Sequence, residues 1–455
     1  MLRQSTAERY AVQFPQSQAL FAKAQNMIPR GVSHDQWYAM PFSLFMTQGK
    51  GSHLWDVDGN EYIDYYGGHG GKMLGHAHPA VVEAAQKQLE RGVQYGTCCD
   101  LSLAWAALIQ KLVPSAERIE FTNSGTEAVM MGIRLARAFT GRSKIVRFQF
   151  HFAGGYDAVA VGYKEPFDIP LSGGILPPAV QDTIVIPAND EERLEDALKK
   201  RDVAVLIVEA AGGSSGVVGI KPPFYKAMRE LTKKYGSLLF FDEIVTGFRY
   251  SPGGVQAAVG IRPDLTSLGK GITGMVPGAG AIVGCQDVMN MLLFQNDHWN
   301  RYQRVSHSGT FNANPFCAAT GIAYLNIIAT GRPTQEANRK ARMLRDGMQH
   351  QLEGYGITGC VYDSGFSVVH LYLGSCDQQG CCDRTVCLNA AKVRASDAGL
   401  ALYMNLALNG VKVPVRGYDF FVSAVHTPED IQKTVAAFGK SLAAMLDENK
   451  IVKRS

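Results

Sequence analysis

Short apolar runs alternate with amphipathic segments through the middle of this chain. The apolar runs lie at residues 145–148, 203–208 and 238–241, and amphipathic segments lie at 191–200 and 223–234. Continuous apolar runs of strand length are typical of strands that are buried on both faces. Helices that alternate with such strands connect parallel neighbours. The pattern therefore predicts an α/β fold with a mostly parallel central sheet covered by helices.

The two ends of the chain carry local signals of other elements. Ser5 and Glu8 have the spacing of a capping box, which begins a helix. Asp58-Gly59 between two apolar runs is typical of a hairpin turn. Helical periodicity at 335–352 and 390–409, with strand-like pieces between, predicts a smaller α+β domain.

Glycine-rich stretches suggest the domain limits. Residues 67–71 predict a flexible joint, and Gly331-Arg332-Pro333 interrupts a helical pattern. A chain of 455 residues is too long for a single hydrophobic core. We expect an N-terminal segment with helices and a small antiparallel sheet (1–72), a large α/β domain (73–330) and a C-terminal small α+β domain (331–455).

Composition favours a globular enzyme. Apolar residues make up 46% of the chain and charged residues 19%, which is atypical of disordered or fibrous proteins. The net charge of +4 is spread without a Lys/Arg run, so we expect no nucleic-acid partner. No stretch reaches membrane-spanning length, and the first residues lack the apolar core of a signal peptide. We therefore expect a cytoplasmic protein without membrane association.

Four of the nine cysteines cluster in one polar segment, at Cys376, Cys381, Cys382 and Cys387. Their spacing matches no standard zinc pattern, and no histidine lies between them. A surface loop with reduced thiols is the favoured interpretation, and a metal site is the alternative. We predict no metal site in this chain.

An acid and a lysine follow two neighbouring apolar runs. Asp242 ends the run at 238–241, and Lys270 follows the short run at 264–268. A lysine amine can form an imine with the aldehyde of pyridoxal phosphate, and a carboxylate can keep the pyridine nitrogen protonated. Ligands of open α/β sheets bind beyond the carboxyl ends of the strands, where both residues are expected. The pair therefore predicts a pyridoxal phosphate site.

Residues 123–126 (Asn-Ser-Gly-Thr) begin a predicted helix directly after a short apolar run. Glycine permits close backbone approach, and the helix N-terminus favours an anion, so this segment is a candidate phosphate site. An ordinary helix cap is the alternative, because Ser and Thr are common N-caps. Together with a candidate lysine later in the chain, the phosphate interpretation is favoured.

Three further patterns match known motifs without the structural context that the motifs need. Gly269, Gly271 and Gly274 have dinucleotide-binding spacing with Asp287 downstream, but proline and glycines follow where a helix should run. Residues 212–216 match a nucleophile elbow, although no helix is predicted behind them. His76 and His78 suggest a metal, but no third ligand is evident. None of the three is favoured.

Several motifs together resemble one family, the class III (omega-type) aminotransferases, and most closely the branch that contains glutamate-semialdehyde aminomutase and beta-amino-acid aminotransferases. The resemblance covers about residues 17–446. The segments that carry it are 54–59, 74–79, 121–128, 241–249, 268–270 and 307–315.

The resemblance implies a role for each matching residue. It implies fold type I of the pyridoxal phosphate enzymes and an obligate homodimer with shared active sites. Lys270 would be the Schiff-base lysine and proton shuttle, and Asp242 would pair with the pyridine nitrogen. The other implied cofactor residues are Ser124, Gly125 and Thr126 for the phosphate, Thr310 for the phosphate of the neighbouring subunit, Phe152 and Ile244 on the two ring faces, and Glu209 near the cofactor hydroxyl.

The chain also departs from its relatives. The family usually has Tyr-His-Gly where this chain has Phe152-Ala153-Gly154. The aminomutase branch carries a carboxylate-binding arginine near 34–37, but no arginine lies between Arg30 and Arg91 here. Tyr418 stands about where the aminomutase has a glutamate, and Arg416 resembles the switch arginine of the beta-amino-acid enzymes.

We therefore predict an aminotransferase that moves an amino group from an amine or (beta-)amino acid to a keto acid by a ping-pong mechanism. Arg416 would bind the acceptor carboxylate, and Trp37, Tyr38 and His69 would line a large aromatic substrate pocket with Phe152. An aminomutase or racemase of the glutamate-semialdehyde type is the alternative. A nicotinamide-dependent dehydrogenase and an interaction protein are less favoured.

Overall fold

The computed structural model describes residues 4–170, 172–363, 365–374, 397–415 and 417–453. The chain forms two compact units. One unit combines the two chain ends, Met1–His78 and Gln335–Ser455, and the other is the continuous segment Pro79–Thr334.

The strands are numbered in chain order. They are β1 (Met46–Lys50), β2 (His53–Asp56), β3 (Glu61–Asp64), β4 (Arg118–Thr122), β5 (Lys144–Phe148), β6 (Thr183–Ile186), β7 (Val203–Glu209), β8 (Val218–Gly219), β9 (Leu238–Asp242), β10 (Leu265–Leu268), β11 (Gly280–Gly284), β12 (Gly359–Asp363), β13 (Val368–Leu373), β14 (Val411–Lys412) and β15 (Asp419–Phe421).

Several of the longer helices overlap segments with helical periodicity, among them 191–200, 223–234 and 335–352. The longer helices are Thr6–Gln13, Pro15–Gln25, Pro79–Arg91, Asp100–Leu112, Gly125–Thr140, Glu191–Leu198, Pro222–Tyr235, Pro315–Ile328, Arg332–Gly354, Asp397–Leu408 and Pro428–Asp447. Helices of four to six residues are Gly67–Gly70, Pro177–Val180, Gly213–Gly216, Gly254–Val259, Gln286–Met289 and Asp297–Tyr302.

The continuous unit is built on a seven-stranded sheet in the order β4-β11-β10-β9-β7-β5-β6. Neighbours from β10 to β6 are parallel, and β11 is antiparallel to both β10 and β4. The predicted α/β fold with a mostly parallel sheet is confirmed. Because the carboxyl ends of parallel strands lie at one edge, residues that follow these strands converge there.

The sheet is covered tightly enough to exclude water from its central strands. All five residues of β9 are buried, and so are the first six of β7. Helix Gly125–Thr140 lies over the sheet, and a Cβ on Gly132 would approach the Phe240 ring to 2.5 Å. Glycine at this position allows the helix axis to lie close to the sheet and fixes the start of that helix relative to the strand ends.

The unit formed by the chain ends contains two smaller sheets. One has the order β1-β2-β3-β14 and the other the order β12-β13-β15. The predicted hairpin is confirmed, because β2 and β3 pair in antiparallel fashion around the Asp58-Gly59 turn. The Ser5 capping box is also confirmed, with the Ser5 N–H donating to Glu8 Oε2 over 2.7 Å.

Some predictions fall outside the described residues. The described part of the helix predicted at 390–409 is Asp397–Leu408, and the cysteine cluster Cys376–Cys387 lies outside the described ranges.

The glycine pattern from Gly269 to Gly274 opens only a 3₁₀ turn, Lys270–Thr273, which does not fit a dinucleotide-binding helix. Among the described helices, none combines the length and apolar character needed to cross a membrane.

Candidate functional site

Three neighbouring strands of the large sheet end in polar residues. β7 ends at Glu209 and β9 at Asp242, and these two residues are paired in the sheet register. Ser267, near the end of β10, pairs with Asp242 from the other side. Lys270 follows two residues after β10 ends. The register therefore gathers two carboxylates and one lysine at the carboxyl edge of the sheet.

Asp242 is buried, with 7% of its surface exposed. Its Oδ1 accepts hydrogen bonds from the Ile244 N–H and from Ser267 Oγ, each over 3.0 Å. Burial raises the pKa of Asp242 above its usual value, while the two hydrogen bonds and the charges of Lys270 and Arg147 oppose that rise. A carboxylate in this position can hold a cationic ring nitrogen.

Lys270 lies in the turn after β10, and the charge of Asp242 acts on its side-chain amine. Burial lowers the pKa of the Lys270 amine, and the carboxylates of Asp242 and Glu209 oppose this shift. Its backbone has a φ of 43°, in the left-handed region that non-glycine residues rarely adopt. Such local strain is frequent at functional sites.

The N-terminus of helix Gly125–Thr140 lies beside these residues. A Cβ on Gly269 would be 3.2 Å from Ile244 Cγ2 and 3.6 Å from Gly125 Cα, so the lysine turn and the helix start are in contact. Ser124 is the N-cap and accepts the Glu127 N–H over 3.2 Å. The cap interpretation is confirmed, and it is compatible with phosphate binding because amides of the first turn remain available to an anion.

Phe152 and Glu209 belong to the same cluster. The Phe152 N–H donates to Glu209 Oε1 over 2.5 Å, while the Phe152 side chain is 51% exposed. Two residues later, Gly154 approaches Thr126, and the Gly155 N–H donates to Thr126 Oγ1 over 3.3 Å. The segment that carries the aromatic ring is therefore fixed both to the carboxyl edge of the sheet and to the first turn of the helix.

The sequence pattern did not single out three buried residues that support this cluster. Ser267 binds Asp242 directly, and His151 Nδ1 accepts the Glu209 N–H over 3.0 Å. Arg147 lies on β5 and donates to the carbonyl oxygens of Val159 and His151. An arginine within the apolar run at 145–148 is the one signal in the sequence that points to Arg147.

Thr310 is exposed, and its carbonyl oxygen accepts a hydrogen bond from the Gln94 side chain. The structure thus places Thr310 on the surface of the continuous unit. Its predicted role in a neighbouring subunit stays a prediction.

Of the predicted pocket residues, Trp37, Tyr38 and His69 lie in the unit formed by the chain ends, whereas Phe152 lies in the continuous unit. The His34 ring stacks on Trp37 with centroids 5.4 Å apart and lies 4.7 Å from the His69 ring. The Tyr38 ring is instead 6.1 Å from Phe21. Arg416 lies outside the described residues. Trp37 and His69 are thus brought together, and their substrate role stays a prediction.

Comparison with known proteins identifies relatives along nearly the whole chain. The sequence profile of the family described as Aminotransferase class-III matches residues 34–368. A glutamate-1-semialdehyde 2,1-aminomutase of Archaeoglobus fulgidus is 37% identical over 94% of this chain and 99% of its own length.

Two solved structures are similar in both fold and sequence. An omega-transaminase from Sphaerobacter thermophilus has a TM-score of 0.83 and 30% identity, covering 94% of this chain and 97% of its own. A beta-phenylalanine aminotransferase from Variovorax paradoxus has a TM-score of 0.84 and 30% identity, covering 99% and 98%. The architecture is that of fold type I pyridoxal phosphate transferases, and this chain belongs to the class III aminotransferase family.

Proposed function

We propose that this chain moves an amino group by pyridoxal-phosphate-dependent chemistry, with Lys270 as the residue that attaches the cofactor and carries the proton. Pyridoxal phosphate is the cofactor of the class III family. The observation that carries the proposal is that Lys270 and Asp242 meet at the ends of adjacent parallel strands, with each influencing the pKa of the other.

The residues of the site fit this cofactor. The helix that begins at Gly125 offers first-turn amides to a phosphate, and a Cβ on Gly125 would overlap the Ile244 side chain. The Asn123 Oδ1 atom in the same turn is buried without a partner among the described residues. The exposed ring of Phe152 is available to stack on a planar ligand. These features describe a cradle for a flat, anionic aromatic molecule.

When bound, pyridoxal phosphate supplies an electron sink that stabilises a carbanion beside the substrate nitrogen. Asp242 would hold the ring nitrogen in its cationic form through a charge-assisted contact. Lys270 would take a proton from the substrate carbon and return it to another carbon, because burial shifts its pKa toward the range of a useful base. Glu209, paired with Asp242, would stand near the cofactor hydroxyl.

Within this chemistry, the relatives favour an aminomutase of the glutamate-1-semialdehyde type. The curated relative from Archaeoglobus fulgidus has that name and aligns along 99% of its own length. The sequence motifs alone favour transfer to a keto acid, with the aminomutase as the alternative, and the comparisons support this alternative better than the main prediction. An aminomutase would exchange the positions of the amino and carbonyl groups in its substrate without a separate keto acid acceptor.

Intermolecular transfer is the second candidate because the chain departs from the aminomutase pattern. No arginine lies between Arg30 and Arg91, and Trp37 occupies the stretch in which the aminomutase branch carries its carboxylate-binding arginine. Both solved structures at 30% identity are described as transaminases or aminotransferases. A bulky or aromatic amino-group donor would suit such a site.

One experiment separates these outcomes. The purified, cofactor-loaded chain is supplied with glutamate-1-semialdehyde alone, and separately with a panel of amines and beta-amino acids plus pyruvate or 2-oxoglutarate. Isomerisation without an acceptor supports the aminomutase, and amino transfer that requires the keto acid supports the transaminase. A Lys270→Ala variant should lose both activities, whereas Lys226→Ala, at an exposed surface lysine, should keep them. Full turnover by the Lys270 variant would refute the proposal.

We also propose a cytoplasmic homodimer with shared active sites. The support for a dimer is that three aromatic residues within 16 positions of Thr310 in the sequence are exposed: Phe294 by 75%, Tyr302 by 73% and Phe311 by 56%. Light scattering of the purified chain should give twice the chain mass. Co-expression of Lys270→Ala and Thr310→Val chains should then restore activity by pairing intact half-sites, and a monomeric active enzyme would contradict the proposal.

A further inference from the structure

Arg147 is a charged residue in β5, where it lies among the apolar residues Ile145, Val146 and Phe148. It is 1% exposed, and its guanidinium donates to the carbonyl oxygens of Val159 and His151. Burial lowers the pKa of Arg147 to about 10, which leaves the group charged at neutral pH. A buried charge is costly unless opposite charge compensates it. Because both hydrogen-bond partners are neutral, the compensation must come from groups farther away.

The sheet register places two carboxylates on the same face as Arg147. Arg147 pairs with Ile207 of β7, Glu209 follows two residues later, and Glu209 pairs with Asp242 of β9. Paired residues and residues two apart on a strand project from one face of a sheet. The charges of Glu209 and Asp242 oppose the fall in the pKa of Arg147 that burial causes. The three side chains therefore lie on one face of three adjacent parallel strands, with Glu209 level with Asp242 and Arg147 displaced from them by two residues along the strands.

Lys270 is the second cation that faces these carboxylates. Its pKa is lowered by burial and held up by Asp242 and Glu209. The carboxylates of Glu209 and Asp242 oppose the fall in pKa that burial causes in both Arg147 and Lys270. His151 is a further titratable group beside Arg147, and burial together with the charge of Arg147 lowers its pKa. Two cations thus balance two carboxylates. If Arg147 were neutral, Lys270 alone would balance both acids and would hold its proton more tightly.

We propose that Arg147 is a positioning residue whose fixed charge balances Glu209 and Asp242, so that the Lys270 amine is free of its proton when it attacks a carbonyl group or accepts a proton. This inference rests on the proposed role of Lys270. Arg147 itself takes no part in bond making, because it is 1% exposed and its two Nη groups donate to the Val159 and His151 carbonyls.

The test measures the protonation of Lys270 directly. The full-length chain, freed of cofactor, is acetylated with trace reagent across pH 6 to 11, and the Lys270 peptide is quantified by mass spectrometry. Arg147→Met should raise the midpoint of Lys270 acetylation by about one pH unit, the scale on which a nearby charge shifts a buried group. Arg147→Lys keeps the charge and should stay within about 0.3 of the wild-type midpoint.

Arg142 provides a matched control at the opposite end of the same strands. Its Nη1 donates to the carbonyl oxygens of Val203 and Tyr235 over 3.1 and 3.0 Å. Arg142→Met therefore removes a similar set of hydrogen bonds without removing a charge opposite Glu209 and Asp242. In Arg142→Met, the pH midpoint of Lys270 acetylation should equal that of the wild type. An equal shift of this midpoint in Arg142→Met and Arg147→Met would overturn the inference.

A second pair of variants tests the charge balance even if Arg147→Met fails to fold. Glu209→Gln removes one carboxylate and should lower the Lys270 midpoint. Arg147→Met combined with Glu209→Gln should return the midpoint toward the wild-type value. A double variant that matches Glu209→Gln alone would overturn the inference.

Failure of the inference can be distinguished from failure of the proposed function. Borohydride reduction of the cofactor-loaded wild type should label Lys270. If another residue is labelled, the proposed function fails. If Lys270 is labelled but the pH midpoint of its acetylation is the same in Arg147→Met as in the wild type, only the proposed role of Arg147 fails.

Discussion

Ser267 Oγ donates a hydrogen bond to Asp242 Oδ1 over 3.0 Å. The two residues are paired across β10 and β9, and Ser267 has no exposed surface. The hydrogen bond opposes the rise in the pKa of Asp242 that burial causes. Ser267 therefore helps to keep the carboxylate ionised in a place from which water is excluded.

Replacing Ser267 with Ala should weaken cofactor binding. A hydrogen bond to a charged group is worth about 1.5–3 kcal/mol, so the dissociation constant of pyridoxal phosphate should rise roughly 10- to 100-fold. Titration of the cofactor-free chain, followed by absorbance, measures this constant.

Thr266, on the opposite face of the same strand, is the control. Its Oγ1 lies 2.8 Å from Ser115 Oγ and accepts from Gln256 Nε2 over 3.1 Å. Thr266→Val should lower the thermal midpoint but leave cofactor affinity unchanged. Equal loss of affinity in both variants would assign Ser267 a merely structural role.

Gly154→Ala should disturb the helix start that we propose as the phosphate site. Gly154 has a φ of 85°, and an added Cβ would lie 2.7 Å from Thr126 Oγ1. A side chain at such a φ costs roughly 1–2 kcal/mol before the steric clash is counted. We expect at least a tenfold weaker cofactor affinity, measured by the same titration.

The adjacent Gly155 separates this effect from general loop strain. A Cβ on Gly155 would meet no atom within 4 Å. Gly155→Ala should therefore bind cofactor like the wild type. If both alanine variants bind normally, close approach of Gly154 to Thr126 is not needed for the site.

The buried strands of the large sheet can be predicted well from the sequence, because each of them is a continuous apolar run. β7 and β9 are buried on both faces, so their apolar runs identified them, and the residues at their ends could be placed at one edge of the sheet. Either residue alone has ordinary structural uses, but an acid and an amine that follow neighbouring buried strands are expected at one ligand-binding edge of the sheet, which makes the pair specific. The residue types and the order of the strands are together sufficient to predict that this pair belongs to the site.

The supporting residues could not be found in the same way. Arg147 lies within the run at 145–148, whose pattern as a whole is apolar. Its relation to Glu209 and Asp242 depends on register between strands about 60 and 95 residues apart, which sequence periodicity does not specify. His151 likewise gains its partner, the Glu209 N–H, only through the pairing of distant segments.

His151 predicts a pH dependence of stability. Burial and the charge of Arg147 lower the pKa of His151 to about 3, against a usual value of 6.5. The unfolded chain therefore binds a proton below pH 6.5 that the folded chain excludes, so stability is full above pH 6.5 and falls as the pH decreases toward 3. Between pH 7 and pH 5 this group should cost about 2 kcal/mol.

Asn at position 151 can accept the Glu209 N–H without titrating. His151→Asn should therefore flatten the decline in thermal midpoint between pH 7 and pH 5, although its midpoint at pH 7 is expected to be lower. The decline will not vanish, because burial also lowers the pKa of His426 to about 4. His350→Asn, at an exposed histidine, should keep the wild-type slope. An unchanged slope in the His151 variant would show that His151 is not held neutral.

Glu243, the residue after Asp242, holds the backbone that follows β9 in place. Its carboxylate accepts from Thr246 Oγ1 over 2.5 Å and from the Val255 and Gln256 amides over 3.0 and 3.1 Å. Burial raises the pKa of Glu243, and these hydrogen bonds oppose the rise. The residue therefore ties the turn after β9 to the start of the next helix.

Glu243→Gln should destabilise the fold more than it impairs cofactor binding. The amide NH₂ of the new glutamine is a donor, but the groups around it, the Thr246 hydroxyl and the Val255 and Gln256 amides, are donors as well. At least one buried polar group would therefore lose its hydrogen bond, which costs about 1–3 kcal/mol. For a unit of this size that corresponds to a fall in the thermal midpoint of roughly 2–10 °C. The exposed pair partner Glu230 is the control, and Glu230→Gln should change the midpoint by less than about 1 °C. If Glu243→Gln retains the wild-type midpoint but loses the cofactor, Glu243 acts on the site directly rather than through the turn.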